Sequence, residues 1–352
     1  MRGEGNLPAL ETKKGFDASS LTIILLTCGL FLLLAATSET FFSFGNLQNS
    51  FNNLQSILYG VSIDFFAAIG FTFLIIMGEL DLSVGSVAAF SGMFTGYLMR
   101  VKVPLVPAMA ASLAVCVIIG LANGFLVVRF KVPSMMITLG SMTAVRGLAD
   151  VLCSNLYGYT YPRTYQRISK LRVGSGVYAL FAVIAGVVIA AVILEILLKR
   201  ASVFKKMYYV GENIETARVY GIKSGQLKMV IFAISAFTAG IGGIYMGARL
   251  GFAETAIGSG LEFKVLTAAV LGGASLSGGK GSVVRTGFGL IFLALILSGV
   301  IINNINPLYQ QLIIGIMLVA AVFIDTRVGL SSERGAGLGT RGTRSDGIGG
   351  AK

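Results

Sequence analysis

The sequence predicts an all-α polytopic membrane protein with about ten transmembrane helices, between eight and ten, and no soluble catalytic domain. Three observations carry this. Of 352 residues, 55 % are hydrophobic and 12 % are charged, whereas water-soluble chains carry about 25 % charge. Mean hydropathy is +0.82. The apolar residues fall into runs of about 20, the length that spans a bilayer core, and no polar stretch between them is long enough to fold alone.

Residues 1–20 are polar and of mixed charge, an N-terminal segment expected in the cytoplasm. The run from Leu21 to Ala36 follows without a small-residue cleavage site, which makes it a retained first helix and not a signal peptide. Hydropathy and punctuation place further spans at 54–77, 84–99, 104–128, 134–153, 176–198, 227–249, 261–274, 283–302 and 308–324. The third, eighth and tenth spans are short for a bilayer, as tilted, re-entrant or broken helices are. Residues 199–226 form the longest polar loop, in which Asn213 to Tyr220 reads as a short helix capped by Asn213 and stopped by Gly221. Residues 326–352 are rich in Gly and Arg without apolar periodicity and read as a disordered basic tail. One membrane domain, 21–325, is left between the two ends.

The net charge is +12. With an even number of spans, nineteen basic residues collect on the side of the termini and the 199–226 loop, and six on the other. This bias places both termini in the cytoplasm. Topology, and not nucleic-acid binding, accounts for the basic excess.

The chain has no histidine and three cysteines, Cys28, Cys116 and Cys153, none in a C-x-x-C pair. Metal sites and nucleophile–base pairs therefore have few residues to be built from, and neither catalytic residues nor a cofactor are expected. Leu276-Ser277-Gly278-Gly279-Lys280 echoes the signature of nucleotide-hydrolysing cassettes. The chain contains no G-x-x-x-x-G-K-[ST] phosphate loop to go with it, so the echo reads as coincidence. Energy for any work must come from another chain or an ion gradient.

In Gly78-Glu79-Leu80-Asp81-Leu82-Ser83-Val84 two carboxylates interrupt a long apolar run. Ionised groups at such depth face protein or water and mark a pathway or a structural cap. Asp81 and Ser83 precede the helix start at Val84, so capping its free amides is the expected role and contact with a transported molecule the alternative. Asp64 is a separate intramembrane acid with no evident partner. Asn123, Thr138, Asn303 and Asn304 are candidate polar lining near span ends. Ala239, Gly243, Gly247 and Gly251 make a small-residue stripe, repeated by Gly92 and Gly96, and packing within one subunit is its favoured use. The pattern G-x-x-x-L-S recurs at Gly78 and Gly272, a trace of internal duplication or of chance.

Taken together, GELDLSVGSV at 78–87, NGFLVVRFKVPSMMITLGSMTAVRGLA at 123–149, GENIETARVYGI at 211–222 and the run from LEFKVLTAAVLGGASLSGGKGSVV to FID at 261–325 carry a resemblance. The chain resembles the membrane permease subunit of a bacterial ribose/xylose-type ABC sugar importer, within the branched-chain amino acid/sugar permease superfamily. Glu79 departs from the pattern, where many members have a second glycine. The resemblance implies a multi-pass protein of the bacterial inner membrane, driven by a separate cytoplasmic ABC ATPase. It also implies a periplasmic sugar-binding protein as donor and a second permease subunit, with a homodimer favoured. In such permeases a short cytoplasmic helix docks on the ATPase; the matching positions here are Gly211, Glu212, Asn213, Thr216, Ala217, Arg218 and Gly221. Two other readings stand beside monosaccharide import: a permease for branched-chain amino acids, and an ion-coupled secondary transporter using Asp64, Glu79 or Asp81.

Overall fold

A computed structural model describes residues 18–38, 41–42, 47–169 and 177–339. Thirteen α-helices lie among them, in the order α1 Ala18–Thr37, α2 Leu47–Ile76, α3 Val84–Arg100, α4 Leu105–Phe130, α5 Ser134–Asn155, α6 Arg163–Ser169, α7 Val177–Arg200, α8 Ser202–Glu212, α9 Ile214–Val219, α10 Ser224–Leu250, α11 Leu261–Leu271, α12 Val283–Ile302 and α13 Tyr309–Gly339. One isolated antiparallel bridge, Thr160 to Phe252, is the only extended pairing among the described residues.

Each of the ten expected spans falls on a helix, yet six helices are long and apolar enough to cross a membrane: α2, α4, α5, α10, α12 and the Tyr309–Thr326 part of α13. The apolar parts of α1 and α7, Leu21–Thr37 and Ala185–Leu198, are shorter. The helices α3 and α11 have 17 and 11 residues and reach only about 25 and 16 Å at 1.5 Å per residue. α2 begins seven residues before the expected 54, because polar side chains of its first turns bond one another, as Gln48 does Asn52. At the other end α13 runs on to Gly339, so helix continues past 326, where the composition alone reads as tail. Between 326 and 339 no proline interrupts the ladder started by the apolar turns before it. The rest of the tail and residues 1–17 lie outside the described residues.

α10 is the centre of the bundle, packed on α2, α3 and α4. Its small-residue stripe is the reason it fits. A β-carbon on Gly243 would lie 1.9 Å from the Ala88 carbonyl oxygen, and one on Gly92 would lie 2.5 Å from the Gly243 carbonyl oxygen. α3 and α10 thus meet backbone to backbone, and the stripe is used inside one subunit.

The helices α2 and α11 end in the same way. Gly78, at φ +72°, follows α2, and the Glu79 N–H reaches back to the Leu74 carbonyl at 3.0 Å. Gly273, at φ +80°, follows α11, and the Ala274 N–H reaches the Ala269 carbonyl at 3.0 Å. These are helix stops that need a left-handed residue, hence glycine. The equivalent glycines are 78 and 273, one residue off the register of the sequence echo. The two interruptions lie side by side, since the Gly279 N–H donates to the Ile76 carbonyl at 2.8 Å. The LSGG stretch is therefore structural filling between two broken helices.

Candidate functional site

Residues 79–83, between α2 and α3, run without helical bonds of their own through the protein interior, so their polar groups need partners. Other helices provide them. The Leu80 N–H donates to Ser134 Oγ at 3.0 Å and the Leu82 N–H to Thr138 Oγ1 at 3.1 Å, both from the first turn of α5. Asp81 is fully buried; its Oδ1 accepts from the Ser83 N–H at 2.9 Å and the Ser83 hydroxyl, and its Oδ2 accepts from the Ser235 hydroxyl of α10 at 3.2 Å. Asn123 of α4 donates to Ser83 Oγ at 3.1 Å. Four helices thus converge on one carboxylate.

This replaces the expected caps. Ser83 is the N-cap residue of α3 by position, but neither it nor Asp81 bonds the first-turn amides of α3. Ser83 already has helical φ and ψ, so its hydroxyl cannot fold back and turns to Asp81 instead. Glu79 is ion-paired with Lys228 of α10, with only 10 % and 17 % of the two side chains exposed. Asp64 of α2 also has a partner, Lys264 of α11, 200 residues away in the chain. Asn303 and Asn304 do not join this region. The Asn303 amide donates to the Gly299 carbonyl at 2.8 Å, and Asn304, at φ +53°, ends α12 with the Ile305 N–H on the Val300 carbonyl.

A second arrangement lies where α8 and α9 meet the two broken helices. Asn213 caps α9 by accepting from the N–H groups of Glu215 and Thr216 at 2.9 and 3.0 Å. Gly221, at φ +74°, stops it, and the Ile222 N–H returns to the Ala217 carbonyl at 3.0 Å. Ala217 faces inward and is fully buried, while Thr216, Arg218 and Glu212 are exposed. Gly211, at the end of α8, is inserted between the two turns. A β-carbon there would lie 1.9 Å from the Ile76 carbonyl oxygen and 2.6 Å from the Gly279 nitrogen. Tyr208, one helical turn earlier, donates to the Gly281 carbonyl at 3.0 Å. Burial and the nearby Glu195 carboxylate push the Tyr208 hydroxyl well above the usual phenol range, so it remains a protonated donor.

The far side of the same turn is held by two acids. Glu195 of α7 accepts from the Ser282 hydroxyl at 2.9 Å and the Val283 N–H at 3.1 Å, at the N-terminus of α12. Asp325 of α13 accepts from the Leu276 N–H at 3.3 Å. The sequence reading missed Glu195, Lys228, Ser235 and Lys264. Unpaired acids in apolar runs signal that such partners exist but do not say which of 28 basic residues is the partner.

Nothing in these arrangements performs bond chemistry. Both consist of interrupted helices in an apolar bundle, held by polar contacts that can be rearranged. A profile of the family described as branched-chain amino acid transport system / permease component matches residues 53–322. The chain is 31 % identical over 277 residues to the probable ABC transporter permease protein YphD of Escherichia coli (strain K12), covering 78 % of this chain and 82 % of that protein. It is 29 % identical to the L-arabinose ABC transporter permease protein AraH of Azospirillum brasilense, covering 78 % and 79 %. It is 29 % identical to the ribose import permease protein RbsC of E. coli (strain K12), covering 78 % and 86 %. No solved structure matches the chain. These relatives are transport subunits and not enzymes, and the chain is a multi-pass protein of the inner membrane. Its apolar bundle, its paired broken helices and a match over most of its length make it a member of the branched-chain amino acid transport system permease component family.

Proposed function

We propose that the chain is the translocating subunit of an ATP-driven importer for a monosaccharide of the ribose or xylose class. A periplasmic binding protein delivers the sugar, and a separate cytoplasmic ATPase supplies the energy. Two permease subunits, in a homodimer, form the path. Residues 21–325 are the permease domain, with ten crossings, between a cytoplasmic N-terminal segment, 1–20, and a cytoplasmic tail from 326. The nineteen-to-six division of basic residues supports this orientation, and relatives named for ribose and L-arabinose support a sugar as cargo.

The observation that carries the reading is the seating of Gly211. The 199–226 loop is the longest cytoplasmic segment of this layout. Its two short helices end on one side in an exposed face, where Val219 is 86 % and Tyr220 47 % exposed, and on the other in backbone contact with both broken helices. A short helix held at both ends by its own caps moves as a rigid piece. Closing ATPase domains that press on Asn213, Thr216 and Arg218 push it directly against the turns at 76–79 and 277–281. Glu212 and Gly221 set its limits. The ion-coupled alternative is disfavoured because Asp64 and Glu79 are each neutralised by a lysine and Asp81 is bonded by two serines.

The test is binding-protein-stimulated ATP hydrolysis by the chain reconstituted with its ATPase. Replacement of residues 211–221 by a flexible linker abolishes stimulation if the segment is the coupling element. Stimulation that survives the replacement removes that role. Sugar uptake into liposomes holding this chain alone, under an ion gradient without ATP, establishes the ion-coupled mechanism instead.

A further inference from the structure

We propose that a polar cavity between α3, α5 and the loop 251–260 is a contact site for a neutral, polyhydroxylated cargo, a monosaccharide, within the path. This rests on the permease reading and adds where the cargo is touched. The cavity encloses about 410 Å³, within the range of roughly 300–1,000 Å³ typical of small-molecule sites. Its wall carries the carboxylates of Asp150 and Glu262, the guanidinium of Arg146 and the hydroxyls of Ser86, Thr143 and Ser259; Met142 is its apolar side chain.

Ser86 is the observation that points to a ligand. Its side chain is fully buried, and its hydroxyl has no hydrogen-bond partner among the described residues. Leaving a buried hydroxyl unbonded costs about 1–3 kcal/mol. Nearby serines of the same segment show that partners are within reach: Ser83 bonds Asp81, and Ser91 donates to the Gly240 carbonyl at 2.9 Å. Ser86 alone faces the cavity without one.

The cavity wall is built by close approach. A β-carbon on Gly85 would lie 2.2 Å from Glu262 Oε2 and 2.5 Å from the Gly258 carbonyl oxygen. The loop and the Glu262 carboxylate therefore rest directly on the first turn of α3. Arg146 donates to the Ile257 carbonyl at 2.7 Å and keeps the loop there. Glu262, only 5 % exposed, stays next to Ser86.

The chemistry selects the cargo class. Two carboxylates against one guanidinium leave the lining negative, which repels phosphorylated or otherwise anionic solutes. Carboxylates accept from neighbouring hydroxyls, and a guanidinium donates to ring and hydroxyl oxygens, the complement of an uncharged sugar. A branched-chain amino acid needs an apolar recess, and Met142 by itself does not make one.

Saturation-transfer NMR on the full-length chain in nanodiscs tests this, with D-ribose, D-xylose, L-arabinose and leucine as separate probes. At least one pentose gives a saturable signal and leucine gives none. The Ser86→Ala variant raises the half-saturating pentose concentration about fivefold, the loss of roughly one hydrogen bond. It also leaves thermal stability equal or higher, because the hydroxyl removed is unbonded. Glu262→Gln raises the half-saturating concentration about tenfold. The proposal is overturned by no pentose signal from the wild type, by pentose signals unchanged in both variants, or by a leucine signal that Glu262→Gln abolishes. Pentose uptake into proteoliposomes with the partner subunits separates the two levels. Wild-type uptake that both variants retain in full removes the cavity and leaves the importer. Wild-type transport of leucine and of no pentose removes the sugar reading itself.

Discussion

Replacing Gly211 by alanine adds a single methyl group at the point where α8 enters between the two broken helices. That methyl carbon would lie 1.9 Å from the Ile76 carbonyl oxygen and 2.6 Å from the Gly279 nitrogen, which themselves share a 2.8 Å hydrogen bond. Both obstacles are backbone, so no side chain can swing aside. Either α8 withdraws by more than 1 Å, which strains the Tyr208 bond to Gly281, or the two turns part and the Gly279–Ile76 bond opens. Overpacking of this kind costs about 1–3 kcal/mol, and a lost backbone bond about 1 kcal/mol more. A total near 2–4 kcal/mol displaces a seated junction by at least roughly tenfold in population. The assay is thermal unfolding of the purified chain, followed by binding-protein-stimulated ATP hydrolysis after reconstitution with the ATPase. The expected result is lowered stability and at least a tenfold loss of stimulation, with ATPase binding through α9 retained. Gly140→Ala in α5, where an added β-carbon meets nothing within 4 Å, is the control and is neutral or slightly stabilising. Wild-type stability and stimulation in Gly211→Ala would refute the seating of α8 between the turns.

Three further outcomes follow from the same contacts. Glu79→Gln leaves Lys228 charged and mostly buried and lowers stability by about 3 kcal/mol, whereas the double change Glu79→Leu with Lys228→Met recovers most of it; an additive double-mutant cycle in thermal unfolding would contradict the pair. Gly243→Ala drives a methyl group into the Ala88 carbonyl and separates α3 from α10, so the detergent-solubilised chain loses about 2 kcal/mol or more of stability, read by the same melting assay; a wild-type melting curve would count against the close approach. Asn213→Ala removes the cap of α9 and about 1 kcal/mol with it, while Asn213→Ser keeps the acceptor and most of the activity; equal ATPase stimulation in both would mean that the cap is not needed for coupling.

Some elements were legible because they depend on a segment alone. The cap at Asn213 and the stop at Gly221 are local chemistry, and α9 forms between them as the spacing predicts. The apolar runs mark their helices because transfer into a bilayer sums over consecutive residues. Asp81 was legible as an anomaly but not in its role. Whether it bonds the amides of α3 or the hydroxyls of Ser83 and Ser235 depends on the φ and ψ of Ser83 and on where α10 lies. The repeated G-x-x-x-L-S pattern pointed to the right two turns with the glycines one residue out of register, because the stop needs its glycine after the last carbonyl and not at a fixed distance from Leu-Ser.

By itself the sequence determined that this protein is a helical membrane bundle without enzymatic residues, that its basic charge is unevenly distributed, and that its energy comes from elsewhere. Each follows from quantities that add along the chain: hydropathy, charge and residue type. Only the tertiary structure decided that Lys264 neutralises Asp64 and Lys228 neutralises Glu79, across 200 and 149 residues. It alone placed Gly211 between two turns and Ser86 against an unfilled polar cavity. Such pairings depend on how helices are arranged in space, and in a chain with 46 glycines and 28 basic residues many arrangements share the same local pattern. Close packing and the high energetic cost of unpaired charge in an apolar interior select among them, and both act between segments distant in sequence.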